Sequence, residues 1–296
     1  DTLTYCPAPG QKLTDAKTRV KRTLPPNFVL DDAWLRRLYQ IATSTTALTT
    51  EVGICGTCLL HAFQIVAELQ QYQATGPLPS GGYFFDTAEG RDPMISFQAR
   101  YPDIYRTMRN IPTWRSFPIM LREGRNEIDR RLIQLTIRAI LPNYNWEASD
   151  IARSQEDILN SIYMLLMAPP GTIWIAVVHY RFLDGRETGH AMPIIRTLNG
   201  AYVIPTNTSI NYDTFVQRAR EVITTARLYS MLTAPQPQAE ISYFVTFRLS
   251  EIEEEPLSVV MSQRNCTGDG EDRRGNREPP RSATVNQCLS GRCTIQ

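Results

Sequence analysis

Apolar positions follow two different periods along this chain, helical in the first half and strand-like in the second. Over the first ordered stretch Trp34, Leu35, Leu38, Tyr39 and Ile41 share one side of a helical wheel, and Asp31-Asp32 stands before them as a cap. A Thr/Ser-rich loop over 43–50 separates this helix from a second one. That second helix begins near Cys58, carries Leu59, Leu60, Ala62, Phe63, Ile65, Val66 and Leu69 at helical spacing, and should extend to about Tyr72. Residues 76–97 hold Pro77, Pro79, Gly81, Gly82 and several aromatics, and read as a long loop beside a binding cleft. Helical patterns return near 101–110, 124–141 and 154–167. The period then changes. Thr172 to Tyr180 is a β-branched run bounded by Pro170-Gly171, and it leads through an Asp184-Gly185 turn to a second strand over 188–196. An Asn199-Gly200 dipeptide, a strong hairpin signal, joins that strand to a third over 201–205. An amphipathic helix at about 212–232 and a strand over 241–249 close the folded part, with no internal repeat.

Helices first and an antiparallel sheet later predict an α+β fold. The expected domain spans 1–250, with a helical lobe over about 31–168 and a sheet lobe over about 171–250, followed by a tail over 251–296. At 296 residues with 42% apolar content the chain can bury one large core or two lobes. A formal net charge of +1 demands neither nucleic acid nor an anionic membrane as partner. No apolar stretch is long enough to span a bilayer, and no N-terminal signal region is visible. A chain opening at Asp1 rather than Met reads as processed, which favours export.

Chemistry enters with Cys58. A helix N-terminus presents unpaired N–H groups and a partial positive charge, which bias a cysteine there toward the nucleophilic thiolate. Only three histidines are present, His61, His179 and His190, and His190 lies near the start of a strand within Gly189-His190-Ala191. The predicted hairpin brings Asn207, just past the next strand, back beside it. Nucleophile, base and orienting amide are thereby assembled from a helix and two strands. Other readings stand beside this one: Cys58 as a buried core cysteine, Cys55 and Cys58 as a redox pair, or a zinc site on Cys55, Cys58 and His61 that lacks a fourth ligand at metal spacing. His61, one turn past Cys58, is expected to pack or to face solvent. No cofactor is called for, and no metal site is assigned.

On these residues the chain resembles the papain-like cysteine peptidases. The stretch Cys55-Gly56-Thr57-Cys58-Leu59-Leu60 through Phe63 is similar to that superfamily's nucleophile segment, and Gly189-His190-Ala191 with Asn207 is similar to its His and Asn segments, in the same order and 132 and 17 residues apart. Ser80-Gly81-Gly82-Tyr83 is similar to the loop whose backbone pairs with substrate. The resemblance implies a two-lobed papain-like fold with Cys58 and His190 facing each other across a cleft. It also implies acyl transfer from a protein or peptide through a thioester on Cys58, with His190 as base, Asn207 as its orienting group, and Gly81 and Gly82 binding substrate. Hydrolysis, deamidation and transglutamination all use this apparatus. The sequence departs from the pattern at Val52, where the family carries an oxyanion glutamine; one lost donor costs about 10²–10³ in rate.

Three of the six cysteines, Cys266, Cys288 and Cys293, fall in the last 31 residues. Between the first two runs a polar, Gly/Pro-rich segment with Arg273, Arg274 and Arg277, an exposed loop that a protease could cut. Cys6, Cys55, Cys266, Cys288 and Cys293 are the disulfide candidates, their connectivity open. The Gly-Ile-Cys-Gly-Thr-Cys-Leu-Leu segment also resembles exported virulence-associated bacterial proteins, some linked to lectin domains. That resemblance implies a secreted toxin subunit delivered into host cells, with a disulfide-linked or non-covalent receptor-binding, lectin-like partner. The alternatives are a toxin subunit with another activity, such as a nuclease built on the acidic run Glu251, Glu253, Glu254 and Glu255, and a binding module on a papain-like frame that has lost catalysis.

Overall fold

In a computed structural model the described residues are 19–20, 24–44, 56–78, 144–253 and nine helical positions between 102 and 137. The first helix, α1, runs Asp32–Ala42, and its cap is the one the sequence predicts: the Asp31 carboxylate accepts the Trp34 N–H at 2.9 Å. The second, α2, runs Gly56–Tyr72. Unlike an ordinary surface helix it has no exposed side, for Thr57 to Gln70 are buried throughout, as befits a helix enclosed by its neighbours. Pro102, Arg106 and seven positions from Glu127 to Ile137 are helical, within the two segments where helical periodicity predicts it. Helix α3 spans Gln155–Met167, with Ser154 accepting the Asp157 N–H at 3.0 Å.

The sheet is antiparallel at every described pairing and has six strands: β1 (Arg19–Val20), β2 (Tyr144–Ala148), β3 (Ile173–Arg181), β4 (Glu187–Arg196), β5 (Ala201–Val203) and β6 (Glu240–Glu253). The order is β1-β6-β3-β4-β5, with β2 also on β6. β3 and β4 form the hairpin expected at Asp184-Gly185, where Gly185 takes φ +82°. β3, buried at every position from Ile173 to Tyr180, reads as a continuous apolar run because helices cover both of its faces.

Alternation along β3 and β4 divides the core in two. Ile173, Ile175, Val177, Ala191 and Ile195 pack with α1 and α2 in one cluster that also holds Cys58 and Phe63. Trp174, Ala176, Val178, Met192 and Ile194 face the other way, onto Ile158 and Ile162 of α3 and Leu228 and Leu232 of α5 (Thr225–Thr233). The helical part and the sheet part of the sequence therefore share a core on the α2 face. An α+β architecture with an antiparallel sheet is what the structure contains.

Three local expectations are revised. The single helix over about 212–232 is two, α4 (Tyr212–Arg218) and α5, because Val222 exchanges both backbone hydrogen bonds with Ala201 of β5, at 2.9 and 2.8 Å, and Thr224 caps a new start. The β4–β5 hairpin exists, but Asn199-Gly200 does not supply the positive φ of a primed turn. Gly200 is needed for room, since a Cβ there would lie 2.1 Å from the Val222 carbonyl oxygen. β6 runs four residues past Leu249, and β1 and β2, which periodicity missed, both pair with its far end.

Candidate active site

Helix α2 carries five buried polar side chains, Thr57, His61, Gln64, Glu68 and Gln70. A buried charge needs partners. Glu68 has them: it accepts from Arg37 Nε of α1 at 2.8 Å, from Arg37 Nη2, and from Gln64 Nε2 at 2.6 Å. Arg37 and Glu68 expose 1% and 0% of their side chains, so this bidentate pair fixes α1 against α2 from inside the core.

His61, fully buried, is held at both ring nitrogens. Its Nδ1 accepts the backbone N–H of Asn207 at 2.9 Å, and its Nε2 lies 3.0 Å from Ser44 Oγ, whose own hydrogen goes to the Ile41 carbonyl at 2.7 Å. An accepting Nδ1 carries no proton, so the ring is neutral and Nε2–H donates to Ser44. One imidazole thus ties the end of α1, the middle of α2 and the segment after β5 together. Asn207 stands at φ +42°, the one non-glycine residue with positive φ among the described residues, in the left-handed region that asparagine tolerates.

Cys58 sits in the first turn of α2 and is 4% exposed, which is the placement expected of it. Its sulfur, however, is in a disulfide, and the partner lies outside the described residues. This corrects two expectations: in this form Cys58 is no thiolate, and it joins the disulfide set from which it was excluded. Beside it Thr57 Oγ1 is buried with no hydrogen-bond partner among the described residues.

His190 sits on β4, opposite Val178 of β3 and short of the segment that β5 covers, so strand alternation places it on the α3/α5 side of the sheet, while its neighbour Ala191 is on the side of Cys58. The chain after β5 continues along this margin: Ile204 N–H donates to the Pro193 carbonyl at 3.0 Å, and Thr206 Oγ1 donates to the Ala191 carbonyl at 2.5 Å. Thr206 Oγ1 is also 3.3 Å from His190 Nε2, the one polar side-chain contact of that ring among the described residues. Burial pushes the His190 pKa down from 6.5 to about 4, so the ring is neutral at pH 7. Asn207, expected to orient His190, does not: its neighbour Thr206 takes that position, while the Asn207 backbone is engaged by His61.

Sequence reasoning thus located the strand and helix of the site but missed Thr206 and Ser44, and left His61 as packing. The available indication was the spacing of His61 one turn after Cys58, on the same helix. His179 is buried and stacked on Tyr243, ring centroids 4.3 Å apart. Gly81, Gly82, Val52, Cys6, Cys55, Cys266, Cys288, Cys293, Arg273, Arg274 and Arg277 lie outside the described residues, as do Glu254 and Glu255. Glu251 and Glu253 belong to the end of β6. Among the described residues no group of three or more His, Cys, Asp or Glu side chains is placed to hold a metal ion, and no helix is long and apolar enough to cross a membrane.

The chain belongs to DUF1561, a family of proteins of unknown function, whose sequence model matches residues 1–294. No curated protein and no solved structure matches it.

Proposed function

We propose that this chain is a cysteine hydrolase of papain-like arrangement acting on a protein or peptide, with Cys58 as nucleophile and His190 as base. The observation that supports the reading is the placement of Cys58 in the first turn of an enclosed helix whose His61 holds the Asn207 N–H, next to the Thr206 that meets His190 at the margin of β4. The first turn of a helix favours a thiolate, and backbone N–H groups there are of the kind that bind an oxyanion. Since the Cys58 sulfur is bonded in this form, hydrolysis requires a dithiol reductant first. A reductant thiolate attacks the partner sulfur, the S–S bond breaks, and Cys58 leaves with the electron pair as a thiolate; the reductant's second thiol then closes its own disulfide and frees the partner. Once reduced and protonated, the Cys58 thiol passes its proton to neutral His190 as its sulfur attacks the substrate carbonyl, His190 hands that proton to the departing amine, and water, deprotonated by His190, then cleaves the thioester, the proton returning to the Cys58 sulfur. A bonded cysteine also fits an oxidising compartment, in keeping with export as a toxin subunit.

A second reading, a non-catalytic binding module on the same frame, is favoured by one observation: Cys58 is both bonded and nearly inaccessible. Peptide mapping of iodoacetamide labelling decides between them. In the hydrolase, labelling of Cys58 appears only after dithiol treatment of the folded protein, is rapid near neutral pH, and slows in His190→Ala. Labelling that stays slow, or that ignores His190, removes the hydrolase reading and leaves the module. Loss of function with chelator rather than alkylator would instead indicate a nuclease.

A further inference from the structure

The ring of a catalytic histidine works only when the correct nitrogen holds the proton, and an orienting partner usually decides which one does. Here the geometry points to Thr206. We propose that Thr206, and not Asn207, is the positioning residue of His190: it holds the imidazole in the Nε2–H tautomer and leaves Nδ1 as the basic nitrogen.

The direction follows from counting protons. A threonine hydroxyl has one hydrogen and two lone pairs. Its hydrogen is committed to the Ala191 carbonyl oxygen at 2.5 Å, so toward His190 Nε2, 3.3 Å away, only a lone pair remains. Nε2 must therefore be the donor, and in a neutral ring Nδ1 is then unprotonated. Thr206 is 1% exposed, so water does not compete strongly for its hydroxyl.

Thr206 is itself held from both sides. Two residues before it, Ile204 pairs with Pro193 along the margin of β4, and one residue after it Asn207 turns at φ +42° to give its N–H to His61 Nδ1 at 2.9 Å. His61 stands one turn past Cys58 on α2. The same side chain that anchors the Thr206 segment thus belongs to the helix that carries the sulfur, which links the position of the base to that of the nucleophile. The bond that Asn207 makes in this linkage comes from its backbone N–H.

This inference rests on the hydrolase reading for its catalytic meaning, but its test does not. With three histidines in the chain, ¹⁵N spectra of the imidazole nitrogens at pH 7, assigned with His190→Asn and His61→Asn, report each tautomer directly. In the wild type, His190 should show a protonated Nε2 and a bare Nδ1. Thr206→Val should give a mixture of tautomers, Thr206→Ser should restore the single form, and Asn207→Ala should leave it unchanged. A wild-type His190 protonated at Nδ1 overturns the proposal without any variant, as does a tautomer indifferent to Thr206→Val in a folded protein. After dithiol treatment, Cys58 alkylation should fall about tenfold or more in Thr206→Val and recover in Thr206→Ser. If the tautomer is lost but alkylation does not change, the orienting role of Thr206 stands and the hydrolase reading fails.

Discussion

The two faces of the sheet solve the burial problem differently. On the α3/α5 face the core is mainly apolar, Ile158, Ile162, Val178, Ile194, Leu228 and Leu232 among its members, and the Tyr180 hydroxyl there donates to the Leu232 carbonyl at 2.5 Å. Burial raises the Tyr180 pKa well above its usual 10, so that group stays neutral. On the α2 face an ion pair, an amide and an imidazole are buried together with the apolar side chains. Buried charge does not stabilise a fold better than apolar packing of the same volume. Among the described residues the buried ion pair lies on the face that carries Cys58.

Breaking the comparison starts with Glu68→Gln, which leaves Arg37 charged and buried beside an amide. A loss of about 3–5 kcal/mol is expected in urea denaturation, the largest effect of the series. On the apolar face Ile162→Ala should cost about 2–4 kcal/mol through lost contact and a residual cavity, with no change in pH dependence. The margin of β4 near His190 should, by contrast, respond to acid. The folded His190 ring titrates near 4 and an unfolded one near 6.5, so between these values the unfolded chain binds the extra proton. Native stability is therefore complete above about 6.5 and declines as pH falls toward 4, by up to about 3 kcal/mol for this group. Denaturation midpoints of wild type and His190→Asn should converge over that window; parallel curves would mean that the ring is solvated. The smallest effect is expected at the exposed Arg248–Glu147 pair across β6 and β2, where Arg248→Ala should shift stability by no more than about 0.5 kcal/mol.

Much of the architecture was legible in the periodicities. Asp31 and the Pro170-Gly171 boundary marked their elements because capping and turn chemistry are local. Gly171 was legible as a breaker but not in its reason: at φ +89° its Cβ would lie 2.0 Å from the Leu24 carbonyl oxygen, a contact between segments 147 residues apart. The break between α4 and α5 was not legible, because the sequence over 212–232 keeps helical periodicity and it is the β5 backbone that captures Val222. The helix start near Cys58 and the strand of His190 were legible from residue type and neighbours. Thr206 was not, since threonine at a strand end is ordinary and its role comes from the two acceptor and donor atoms it happens to meet.

What the sequence by itself determined is the set of elements: a capped α1, an α2 that opens at Cys58, and a β3–β4–β5 meander with His190 in its second strand. These depend on periods of two and 3.6 and on turn residues, all of them interactions within a few positions. Only the tertiary structure decided that Arg37 meets Glu68, that His61 holds Asn207, that His190 meets Thr206 and that the Cys58 sulfur is bonded. Those are contacts between polar atoms, or sulfurs, a few ångström apart in space, and which ones meet is fixed by how α2 lies against the margin of β4 rather than by any local pattern along the chain.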